Sequence, residues 1–145
     1  MKKNVYRILL LIASLSFSIN AFSGHHSEKE ESYKEGQQLV LDAFGWDFKK
    51  AEITIEKIND NNHVLFGLGG NILVNSGKDG VLIVDDQFPQ LKNKIMRAVR
   101  KVGGKKIDYI VNSHWHFDHA EGNLAFGKTG SKIIAHENSR YMMIN

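Results

Sequence analysis

The sequence predicts a mixed sheet with helices packed outside it, in the α/β class with an α+β opening run of strands. Three observations carry this. Short apolar runs separated by turn residues fill the stretch from Ala51 to Val84. An amphipathic helical stripe follows Pro89, and a further apolar run, Ile107 to Val111, follows that stripe. The order is therefore strands first, then strand–helix–strand, then a His-rich loop, a short helix and a last strand.

The chain of 145 residues opens with Met1-Lys2-Lys3-Asn4-Val5-Tyr6-Arg7, a cationic start, and continues with an apolar stretch from Ile8 to Phe17. Small and polar residues then run to Gly24. This is the layout of a secretory signal peptide over residues 1–23, too short in its apolar core for the ~20 residues that span a bilayer. Ala21 and Ser23 put small residues at the −3 and −1 positions, so cleavage is expected before Gly24, or alternatively after Ala21. The competing reading is an uncleaved anchor. Export implies a periplasmic or secreted protein without a stable membrane anchor.

Removing the leader changes the charge balance. Three of the 19 basic residues and none of the 16 acidic ones lie in residues 1–23, which leaves 16 of each sign. The formal excess of +3 therefore belongs to the leader. No basic stripe with interleaved aromatics appears, and no nucleic-acid partner is expected. The absence of cysteine rules out disulfides, a lipid anchor at the cleavage site and a thiolate metal site.

Residues 24–50 form a polar segment. His25-His26-Ser27-Glu28-Lys29-Glu30-Glu31 reads as a solvated tail, and a short helix is expected over Gln37 to Phe44. Residues 51–145 form the remaining domain. Ile53, Ile55 and Ile58 approximate strand alternation, Asp60-Asn61-Asn62 turns the chain, and His63 to Gly67 is the next strand. Gly67-Leu68-Gly69-Gly70 lacks the spacing of a phosphate-binding loop and reads as a turn into Asn71 to Asn75.

Val81-Leu82-Ile83-Val84-Asp85 is a continuous apolar run, expected to be buried on both faces. Pro89 opens a helix whose stripe is Leu91, Ile95, Ala98, Val99 and Val102. Lys92, Lys94, Arg97, Arg100 and Lys101 cover its other side as a solvated basic face, and Gly103-Gly104 ends it. After the strand from Ile107 to Val111, a short helix is expected over Ala120 to Phe126 and a strand over Lys132 to Ala135. A further helix begins near His136.

The chemistry lies between those elements. His114-Trp115-His116-Phe117-Asp118-His119 holds three imidazoles and one carboxylate within six residues, directly after a strand. Two alternating histidines on extended backbone point to one side and suit one divalent ion. If the chain then turns, Asp118 and His119 face a second. Neutral imidazole and carboxylate are ordinary zinc ligands, and three protein ligands leave room for water. Packing beneath this loop is the default for Trp115 and Phe117. No serine-nucleophile elbow or helix-borne His-Glu-x-x-His competes with it.

Strand Val81 to Asp85, the Pro89 helix, strand Ile107 to Val111 and the His-x-His-x-Asp-His motif at 114–119 together resemble the metallo-β-lactamase superfamily. The resemblance implies an αββα sandwich, of which this chain is the N-terminal half, with one or two zinc ions in a cleft. It implies His114 and His116 as ligands of the first metal, and Asp118 and His119 as ligands of the second. Asp118 would also act in catalysis by orienting the nucleophile. Asp85 would hydrogen-bond the histidine loop without binding metal, with Asp86 as the alternative for that role.

His116 stands where the family's di-iron branch has a glutamate, which favours zinc. The implied reaction is attack of metal-activated water on an ester, β-lactam amide, lactone or thioester of a small-molecule substrate. The family draws its remaining ligands from the second half of its domain. After His119 this sequence has only His136, at a position matching a non-ligand. The expectation is a fragment of a longer enzyme, inactive alone. The alternative is a non-enzymatic or degenerate secreted metal-binding module.

Overall fold

The computed structural model describes residues 26–144. The leader, its cleavage site and His25 lie outside the described residues. The chain separates into two compact units, one ending at Asp47 and also holding Ile144, the other running from Phe48 to Met143.

Among its described residues the first unit holds α1, His26–Phe44, a helix of 19 residues. The expected solvated tail is therefore helical from His26, well before Gln37. The segment is rich in Glu, Lys and Gln, all good helix formers. Side chains four apart support one another, as where Gln38 Nε2 donates to Asp42 Oδ1 at 2.8 Å. Gly45, in the left-handed region at φ 66°, ends the helix. Among the described residues no helix is long and apolar enough to cross a membrane.

The second unit is built on one six-stranded sheet in sequence order: β1 Thr54–Lys57, β2 Asn62–Phe66, β3 Ile72–Gly77, β4 Gly80–Val84, β5 Tyr109–Asn112 and β6 Lys132–Ala135. The first four strands pair antiparallel through tight turns, whereas β4–β5 and β5–β6 are parallel. Parallel neighbours need crossovers. The first is a 3-10 turn, Pro89–Leu91, leading into α2, Lys92–Lys101. The second is α3, Phe117–Ala120, then α4, Asn123–Phe126, and a 3-10 turn over Gly127–Thr129. Helix α5, Glu137–Ile144, follows β6.

Strand alternation sorts the sheet into two faces. Leu65, Ile72, Val74, Ile83 and Ile110 are wholly buried, as are Leu91, Ile95 and Val99 from the α2 crossover. Each such side chain contributes roughly 1.5–3 kcal/mol by leaving water. The other face carries an apolar row fixed by the strand register, Val64–Leu73–Val84–Val111–Ile134. Ile134 on that row is exposed and its other members are half-buried. Strand β4 thus alternates, with Val81 and Ile83 buried and Leu82 and Val84 half-buried. This corrects the expectation of burial on both faces.

The basic side of α2 is also less solvated than expected. Lys94 Nζ donates to the carbonyls of Phe48, Lys49 and Ala51 at 2.8, 2.8 and 2.6 Å, tying the helix to the segment before β1. Lys92 Nζ reaches the Ala125 carbonyl at 3.3 Å. Arg97, Arg100 and Lys101 remain at least partly exposed.

The expected helix over Ala120 to Phe126 is two helices, because Gly122 is pressed against β4's exit. Its amide donates to the Gln87 carbonyl at 2.9 Å, and a Cβ there would stand 2.3 Å from the Asp86 carbonyl oxygen.

Candidate metal centre

Strand β5 ends at Asn112, the chain bends over Ser113 and His114, and His116 is extended, at φ −62° and ψ 148°. The chain then turns at once into α3: the amides of His119 and Ala120 both donate to the His116 carbonyl at 3.0 Å. The alternating histidines therefore lie together, their ring centroids 4.6 Å apart, and the turn swings His119 to within 4.0 Å of the His114 ring. Phe117 packs inward against Phe88 at 6.1 Å, as expected. Trp115 does not pack beneath the loop. It is exposed, edge-on to the His116 ring at 4.6 Å.

The tightest group of ligand-type atoms comes from Asp85, His114 and His119, all within 4.8 Å of one another. Asp85 is already committed. Its Oδ1 accepts the Ser113 amide at 2.7 Å, and its Oδ2 accepts the Ser113 hydroxyl at 2.7 Å and stands 2.7 Å from His119 Nδ1. These contacts tie the carboxylate to the loop that carries the histidines. With Nδ1 of His119 facing Asp85, its Nε2 is the free nitrogen. Asp118 Oδ2 lies 3.5 Å from that Nε2. Two donors on one tetrahedral zinc stand about 3.4 Å apart, so this pair fits a shared ion.

His114 Nδ1 lies 2.9 Å from the Ser113 hydroxyl, which likewise leaves Nε2 available. Its basicity is lowered, first by burial and then by the neighbouring imidazoles of His119 and His116, against the opposite pull of Asp85 and Asp118. That favours the neutral imidazole, the form that binds metal. His116 sits outside the tight group, exposed beside Trp115. His136 accepts the Asn138 amide at 3.2 Å at the start of α5, a capping contact.

The model of the metallo-beta-lactamase superfamily matches residues 65–145, more than half of the chain. The chain belongs to that superfamily. Among solved structures it resembles BJP-1, a subclass B3 metallo-beta-lactamase of Bradyrhizobium japonicum, at 26% identity and a TM-score of 0.56, covering 63% of this chain and 36% of that one. It resembles a second B3 enzyme, described as the first with an active site glutamic acid, at 25% identity and a TM-score of 0.60, covering 71% and 39%. FIM-1 from Pseudomonas aeruginosa, in its mono-zinc form, shares the fold at 20% identity and a TM-score of 0.57, covering 63% and 45%. The chain thus spans less than half the length of each of these relatives.

Within this superfamily frame, the aspartate that contacts the histidine motif is Asp85, and Asp86 does something else. Asp86 is fully buried, and among the described residues neither of its carboxylate oxygens has a hydrogen-bond partner. Burial, then the Asp85 charge, push its pKa up to about 8, with Glu121 adding a little. The nearby Gly122 amide pulls the other way but donates to the Gln87 carbonyl. Asp86 instead uses its backbone, its amide donating to the His119 carbonyl at 2.9 Å.

Sequence reasoning missed Ser113 and Gln87. Ser113 bridges Asp85 to His114, and its place one residue before the motif was the available signal. Gln87, fully buried, has no such signal; its contact is with a turn 17 residues earlier.

Proposed function

We propose that this chain supplies the first-half ligands of a zinc-dependent hydrolase acting on small molecules. The observation that carries the reading is the pair of His119 contacts: Nδ1 held at 2.7 Å by Asp85, and Nε2 at 3.5 Å from Asp118 Oδ2. One nitrogen is fixed and the other is aimed beside a carboxylate, which is how a metal ligand is prepared.

Asp118 and His119 would hold one ion, and His114 and His116 another. Zinc, when bound, supplies acidification of water toward a pKa of about 7 and polarisation of a carbonyl oxygen. The chain's own residues do the positioning. Asp85 would orient His119 directly and His114 through Ser113, and Asp118 would also orient the attacking water. Three protein ligands secure a catalytic zinc. The motif offers two to each ion, which supports a parent enzyme that completes both sites with residues outside these 145.

Esters, lactones, thioesters and β-lactam amides all suit this chemistry, and the B3 enzymes it resembles are named for the last. The leader-type sequence of residues 1–23 supports export to the periplasm or beyond. The test is zinc content by elemental analysis of the purified full-length protein, with a panel of those four substrate classes. Stoichiometric zinc and chelator-sensitive turnover of one class are expected. Metal-free protein after zinc loading would end the reading.

A further inference from the structure

The Gly67-Leu68-Gly69-Gly70 hairpin between β2 and β3 reads in the sequence only as a turn. The structure places it against the second metal pair. We infer that this hairpin, pinned by Gln87, is the seat that fixes Asp118 and His119, making Gly69, Gly70 and Gln87 positioning residues for that metal. The inference rests on the metal reading above and names what holds its second site.

Gly70 carries most of the argument. A Cβ on it would stand 2.3, 2.6 and 2.7 Å from His119 Cε1, Nδ1 and Nε2, so the imidazole occupies the space a side chain would need. Gly70 is not among the residues of positive φ, so its backbone does not demand glycine. The contact does. Its amide also donates to the Asp118 carbonyl at 3.2 Å. Gly69, left-handed at φ 76°, presents the same bare surface to Asp118, with its Cβ position 2.5 Å from Asp118 Cβ.

Gln87 holds the hairpin from behind. It is fully buried, and its Nε2 donates to the Gly70 carbonyl. Its Oε1 fills the Cβ space of Gly67, at 2.6 Å. His119 is therefore gripped from two sides, by Asp85 at Nδ1 and by the Gly70 backbone across the ring. Partners outside the ligand shell of this kind change metal affinity by roughly 10–100-fold when removed.

The experiment has two readouts on the full chain. Long-range nitrogen–proton NMR of the imidazoles, without metal, reports His119 as the tautomer with Nδ1–H on Asp85. Cobalt(II) titration, followed by its visible spectrum, reports affinity. Gly70→Ala should abolish the His119 signature and weaken cobalt binding at least tenfold. Gln87→Met, which removes the amide donor at similar size, should move both in the same direction. Gly77→Ala, where a Cβ meets nothing within 4 Å, should change neither.

Unchanged ring signal and affinity in Gly70→Ala and Gln87→Met would overturn the proposal. So would loss of cooperative unfolding in both, which would make the hairpin an element of the fold alone. If the unaltered chain takes up no cobalt, the metal reading falls, and the seat is judged by the His119 signal by itself.

Discussion

Asp85 Oδ2 sits 2.7 Å from His119 Nδ1, and this contact joins the end of β4 to the first turn of α3 across 34 residues. It selects which nitrogen His119 turns toward Asp118. Asp85→Asn keeps the size and tolerates the backbone angle, but removes the charge. Zinc affinity should fall by roughly 10–100-fold. Competition with a chromophoric chelator measures it, and affinity equal to the unaltered protein would show that Asp85 only braces the fold.

Strands β2 to β6 were legible in the sequence to within two residues, because turn residues bracket each apolar run. The buried stripe of α2 was legible for the same kind of reason, a period of 3.6. Helix α1 was legible only in its second half, from Gln37 to Phe44. Its first half is polar and charged, so propensity rather than patterning makes it, and composition suggested a tail. The split between α3 and α4 depends on Gly122 meeting Asp86, a contact between distant parts of the chain that no local pattern announces. In the site, the His-rich run was visible from its own residues, and Asp85, with Asp86 as the alternative, only through the family resemblance. The grip of Gly70 and Gln87 exists only once the sheet has formed.

His116 is the exposed member of the set and lies away from the tight group of Asp85, His114 and His119. In the full-length protein His116→Ala should lower bound zinc by one equivalent and abolish chelator-sensitive hydrolysis. The fold should be retained, because an exposed side chain contributes little to the core. Elemental analysis beside circular dichroism separates the two effects. Undiminished turnover would remove His116 from the site.

Asp86 gives the pH prediction. Its folded pKa, about 8, stands above its unfolded value of 3.8. Between those values the folded state holds a proton that the unfolded state has released, so stability falls as pH rises through that window. Asp86→Asn removes the linkage. The variant should gain on the parent by at least about 1 kcal/mol at pH 7 relative to pH 4, since raising a pKa by one is worth about 1.4 kcal/mol. Urea melts at the two pH values measure it. Parallel melting of both proteins at each pH would refute the buried acid.

Export is open to direct measurement. The mature protein recovered from a secreting host should begin at Gly24, or at Phe22 if processing follows Ala21. Amino-terminal sequencing decides between them. An intact Met1 terminus in the membrane fraction would favour the uncleaved anchor.

The exit from β4 bends to the left twice, at Asp85 with φ 64° and at Gln87 with φ 54°. Few side chains accept that angle; glycine does so freely, asparagine and aspartate with modest cost, and β-branched residues poorly. Glycine would satisfy the bend yet forfeit the groups that grip His119 and the hairpin. The corner's shape and its chemistry are thus written in the same two letters, and drift at either one must disturb both together. A redesign that reshapes this corner for a new substrate has to keep a carboxylate and an amide there, or build replacements for them somewhere else.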